Sequence, residues 1–132
     1  MNQPLPNVPT DLSQLLPGFA DPARQSQQCF RRILDAIARP GRVQSLADAP
    51  EPPAGLHRAT AAVALTLLDF ETPLWLDPAL RGDAAQTWLR FHCGCPLVDA
   101  PSDAAFAIVA HSAALPSLDR FNRGDDKYPD RS

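Results

Sequence analysis

Proline sets the outer limits of every element this chain can form. Fifteen of its 132 residues are proline, and a proline inside a helix or a central strand removes a backbone donor and clashes with the chain before it. The prolines concentrate in the first 22 residues and in "APEPPAG" (49–55), and others stand just before or after apolar runs. They punctuate short elements joined by loops. Residues 1–18, polar and repeatedly broken, read as a flexible N-terminal arm. The length suits one domain with one hydrophobic core.

Between the breaks, "DPARQSQQCFRRILDAIARPG" (21–41) predicts a helix. Asp21 is placed to cap it, Pro22 suits the first helical position, and Pro40-Gly41 ends it. Phe30, Ile33, Leu34 and Ile37 recur at helical spacing and predict an inward face, with Arg24, Gln28, Arg31 and Asp35 opposite. "RVQSL" (42–46) alternates polar and apolar residues and reads as a short strand. "LHRATAAVALTLLD" (56–69) is apolar around nearly its whole circumference, as a buried helix is. "TPLWL" (72–76) predicts a strand with Pro73 near its start. Asp83 and Gln86 give a capping-box-like start to a helix reaching about Phe91. "PLV" (96–98) and "AAFAIV" (104–109) predict strands joined by the turn "DAPSD", and a short last helix is expected from Pro116 to Arg123. Helices alternating with about four short strands predict an α/β fold, helices packed on a small mixed sheet.

Composition narrows the function. A net charge of −3 argues against a broad phosphate-binding surface and against nucleic acid as partner. No apolar run reaches the ~18 residues that cross a bilayer, and the N-terminus lacks the basic start and apolar core of a secretory signal. Three cysteines do not make a disulfide framework, so a cytoplasmic location with reduced thiols is expected. The six glycines form neither G-x-G-x-x-G nor G-x-x-x-x-G-K-[ST], and no G-x-S-x-G nucleophile elbow is present.

Three stretches, in order and in register, carry a family resemblance: "FRRILDAIARPG" (30–41), "ALTLLDFETPLWL" (64–76) and "LRFHCGCPLV" (89–98). Together they resemble the PhnH family of bacterial phosphonate metabolism, a subunit of the carbon–phosphorus lyase system, over roughly residues 19–132. The resemblance implies an accessory subunit with no autonomous activity. With partner subunits it displaces the adenine of ATP by an alkylphosphonate, giving a ribose 1-phosphonate 5-triphosphate. It also implies a homodimer, and a fold resembling the large domain of pyridoxal-phosphate-dependent transferases without the cofactor. The sequence agrees for its own reason: a Schiff base needs a lysine, and Lys127, the single lysine, stands in a polar tail. No cofactor is expected in this chain. Family members continue with further strands after a segment resembling "YPDRS", so a domain over 19–132 truncated on its C-terminal side is expected.

Candidate site residues follow. Arg90 and His92 are the catalytic candidates: a guanidinium fork suits phosphate or phosphonate, and an imidazole can titrate near neutral pH. Their structural alternative is an Arg90 ion pair and a His92 cap at the helix end. Arg31, Arg32 and Arg39 are candidates for binding a partner subunit, against a solvated helix with Arg31–Asp35 and Asp35–Arg39 pairs. His92, Cys93 and Cys95 define an alternative function, a small independent metal-binding or thiol-dependent module. They supply at most three zinc ligands at a tighter spacing than usual, and a fourth would have to come from Cys29, His57 or His111. Gly94 suits a turn after a helix without any metal. Asp69 and Glu71 read as a polar turn rather than paired catalytic carboxylates, and Trp75 and Trp88 as core. A solitary structural domain that joins no complex is a third reading.

Overall fold

Asp21 stops the first helix from fraying. In the computed structural model, which describes residues 12–128, its side chain accepts from the Arg24 backbone N–H at the start of α1 (Pro22–Ala38). Pro22 fills the first position, where a backbone donor is not needed. Helix α2 (Arg58–Leu67) packs against both α1 and α3 (Asp83–Cys93). Gly82 rather than Asp83 takes the N-cap position of α3.

Three strands complete the core: β1 (Leu74–Leu76), β2 (Leu97–Val98) and β3 (Phe106–Ile108). Their order is β2-β1-β3, with Leu74 opposite both Leu97 and Phe106, and both pairings are parallel. The expected mixed sheet is therefore corrected to a parallel one among the described residues. The cause lies in residues 99–105. They do not fold β3 back on β2 as a hairpin but carry the chain across to the far side of β1. There the Ala105 and Phe106 amides both bond the Pro73 carbonyl (2.8 and 3.2 Å) and start β3 level with β1.

The alternation of β1 distributes its three buried side chains. Leu74 and Leu76 join the main cluster with Leu56, Ala61, Ala64, Trp88 and Leu89. Trp75 meets Phe121 edge-on (ring centroids 5.7 Å apart) and the Arg81 guanidinium (5.9 Å). A continuous apolar run suits a central parallel strand covered on both sides.

Two further expectations are corrected. Residues 42–46 form no strand, and Val43 is 93% exposed. The Pro116–Arg123 segment holds one 3-10 turn, Leu118–Arg120, instead of a helix.

The inward face of α1 is also shifted. Cys29 and Ile33 meet Ala62 of α2 and Leu46, whereas Phe30 (44%), Leu34 (49%) and Ile37 (70%) remain exposed. Of the expected arm, residues 1–11 lie outside the described residues. Residues 15 and 16 already pack against the main core, ahead of the boundary at 19.

Candidate functional site

The "HCGC" turn closes α3. Gly94 sits in the left-handed region (φ 67°) and returns its N–H to the Arg90 carbonyl (3.1 Å), a helix end that glycine adopts without steric cost. The turn sends its side chains apart. The His92 Nε2 lies 2.9 Å from the Leu16 carbonyl, and because a carbonyl only accepts, Nε2 carries the hydrogen. Its ring is held by Trp88 and Phe91 (centroids 5.0 Å each) and pressed by Gly18, where an added Cβ would come within 3.0 Å of Nδ1. His92 thus ties the N-terminal segment to α3. Sequence reasoning placed it at the helix end but had no signal for its partner, 76 residues away.

The two thiols turn inward. Cys93 Sγ donates to the Ala64 carbonyl of α2 (3.6 Å), and both cysteines are buried in the main cluster. The neighbouring Cys93 thiol, opposed by burial and helped by the Arg90 charge, lowers Cys95 from its ordinary 9.0 to about 7. The neighbouring Cys95, then burial, pushes Cys93 strongly upward. Since His92 points to Leu16 and Cys93 to Ala64, the His92–Cys93–Cys95 ligand set of the alternative reading is not assembled. No group of three metal-ligating side chains converges among the described residues. Arg90 is exposed and takes no carboxylate partner among the described residues, so its expected ion pair is absent.

Sequence reasoning passed over Asp77, the buried carboxylate just after β1 (2% exposed). One oxygen accepts from the Ala79 N–H (3.1 Å), and the other accepts from the Ala110 N–H just beyond β3 (3.2 Å). In open parallel sheets, ligands enter at the C-terminal ends of the strands, where connections diverge. Here Asp77, just beyond β1, has both oxygens engaged by backbone amides.

The three candidate arginines on α1 and its C-cap separate into two groups. Arg39 pairs with Asp35, and Gln44 donates to the other Asp35 oxygen. Arg31 and Arg32 instead line an open cleft between α1 and residues 45–49, with a volume of about 440 Å³. The Arg31–Asp35 pair does not form; Asp35 is taken by Arg39. Asp69 and Glu71 do form a polar turn, the Asp69 carboxylate accepting from the Glu71 N–H (2.9 Å). Trp75 and Trp88 are core, as expected.

The family profile described as "Bacterial phosphonate metabolism protein (PhnH)" matches residues 17–132. The chain is 45% identical over 124 residues to a protein of Rhizobium meliloti (strain 1021), "Alpha-D-ribose 1-methylphosphonate 5-triphosphate synthase subunit PhnH". The match covers 93% of this chain and 62% of that relative, so the chain spans about three fifths of the curated relative's length.

Proposed function

Because the chain belongs to the PhnH family of bacterial phosphonate metabolism proteins, we propose that it serves as an accessory subunit of a ribose 1-methylphosphonate 5-triphosphate synthase. The reaction joins methylphosphonate oxygen to C1 of the ATP ribose and releases adenine. In this reading the chemistry belongs to the assembly, located in the cytoplasm, and this chain supplies structure and part of a binding surface without a cofactor of its own. The observation that carries it is the 45% identity to a named synthase subunit, sustained over 93% of the chain.

The site geometry supports a subordinate role. His92 and Asp77, the residues best placed to resemble catalytic groups, are committed to backbone partners. The apolar stripe Phe30–Leu34–Ile37 on α1 supports association, since a subunit contact would remove it from water. The reading includes a homodimer and, for the fold of the whole family, likeness to the large domain of pyridoxal-phosphate-dependent transferases. Its test is co-expression of the chain, tagged, with the other soluble subunits of the phosphonate system from the same cell. A stoichiometric complex that includes the chain is expected. Recovery of the other subunits as a complete complex that excludes it would contradict the proposal. Light scattering on the purified chain reads the dimer separately.

A further inference from the structure

The cleft beside α1 has two chemically different ends. At one end Gln25 donates from Nε2 to the Asp48 carbonyl (3.2 Å) and fixes Asp48 beside the start of the helix. Arg31 and Arg32 follow six and seven residues later, about 9–10 Å along the helix at ~1.5 Å per residue, in the same cleft wall. Among the described residues Arg32 has a 3.4 Å contact to Gln44 Oε1, and neither it nor Arg31 has a carboxylate partner. Asp35, which lines the cleft with them, has its two oxygens occupied by Arg39 and Gln44. The rest of the lining is mostly apolar, with Phe19, Leu46, Ala49 and Ala62 beside the polar Gln28 and Ser45. The volume of about 440 Å³ falls among small-molecule sites, which run from about 300 to 1,000 Å³.

Two guanidiniums with open donors draw a multiply charged tetrahedral oxyanion, through hydrogen bonds about twice as strong as neutral ones. Asp48 has the opposite preference. It accepts from hydroxyl or amine groups and repels a second anion. A lone phosphate or methylphosphonate would use the cationic end and leave the rest of the cleft empty. An elongated ligand uses both ends and the apolar wall between them. The helical period also puts Phe30, Leu34 and Ile37 on the flank of α1 opposite Gln25, Cys29 and Arg32, so a partner on that stripe leaves the cleft open.

We infer that this cleft binds an organic phosphate of nucleotide size. Its phosphate end lies on Arg31 and Arg32, its middle against Phe19 and Leu46, and its hydroxyl- or amine-bearing end beside Asp48. The inference deepens the subunit reading and rests on it for the choice of nucleotide.

The test is isothermal titration of the full chain with ATP, AMP and methylphosphonate, repeated on variants whose far-UV spectrum matches wild type. ATP and AMP are expected to bind at least about tenfold more tightly than methylphosphonate, because the additional contacts are worth more than the ~1.4 kcal/mol of a tenfold change. The double change Arg31→Ala and Arg32→Ala weakens every probe by about tenfold or more. Asp48→Ala weakens the nucleotides and leaves methylphosphonate unchanged. Arg42→Ala, outside the cleft lining, changes nothing. No nucleotide binding at roughly 1 mM, a dissociation constant near the weakest useful affinity, overturns the inference. So does a double variant that binds like Arg42→Ala, or methylphosphonate binding as tightly as AMP. A chain that joins its partners but takes no nucleotide refutes the cleft and leaves the subunit role. A chain that binds nucleotide through Arg31 and Arg32 but joins no partner does the reverse.

Discussion

Changing His92 to alanine separates an anchoring role from a catalytic one. The variant loses the Nε2 bond to the Leu16 carbonyl (2.9 Å) and two ring contacts, to Trp88 and Phe91. The hydrogen bond contributes about 1 kcal/mol net, and each ring contact about 0.5 kcal/mol at the low end of the aromatic range. The sum, about 2 kcal/mol, should fall mainly on the docking of residues 12–18 against α3. Urea unfolding followed by tryptophan fluorescence reads the global loss, and amide exchange reads where it falls. His92→Ala should lower the urea midpoint and speed exchange over residues 12–18 while α1 keeps its protection. His92→Gln, whose amide can reach the same carbonyl, should recover about half of the loss. Gly18→Ala should produce a milder version, because its Cβ would press on Nδ1 at 3.0 Å. A His92→Ala chain with wild-type stability and exchange that nevertheless abolishes turnover of the assembled synthase would refute the anchoring argument.

Asp77→Ala leaves the Ala79 and Ala110 amides without their acceptor and should cost about 2–3 kcal/mol in the same urea assay. Leu89→Ala, at a fully buried position, should cost about 2.7–5 kcal/mol by opening a cavity, read as a lower thermal midpoint. Absorbance at 240 nm should show one thiolate forming with a midpoint of about 7; Cys95→Ser removes that step, and Cys93→Ala, which removes the neighbouring donor, moves it up toward 9.0. The Cys95 pKa is lowered in the folded chain, so between pH 7 and 9 the unfolded state holds more protons and stability rises with pH. That contribution is lost as pH falls through about 7. The raised Cys93 works the other way above pH 9, where the folded chain retains a proton that the unfolded chain releases.

The helix ends were legible because their signals are local. Asp21-Pro22 opens α1 within hydrogen-bond reach of its own first turn, and Gly94 ends α3 through its own backbone. The continuous apolar run of "TPLWL" likewise marked the central strand. What escaped depended on distant elements. Periodicity found the apolar stripe of α1, but α2 and Leu46 cover Cys29 and Ile33 and leave Phe30, Leu34 and Ile37 in water. Strands of two and three residues carry too little pattern to show direction, so a seven-residue crossover read as a turn. Alternation in "RVQSL" predicted a strand, but no neighbouring strand pairs with it among the described residues and none forms. For the site, residue types were legible and orientations were not. His92 and Cys93 are neighbours in sequence, yet one reaches Leu16 and the other Ala64.

The subunit role meets its most direct test in an omission assay. The synthase is assembled with and without this chain, and ATP with methylphosphonate is followed by phosphorus NMR and by release of adenine. The account predicts a ribose 1-methylphosphonate 5-triphosphate signal and equimolar adenine only when the chain is present. Equal turnover without it would show that the chain is not a working subunit of the synthase, whatever its ancestry.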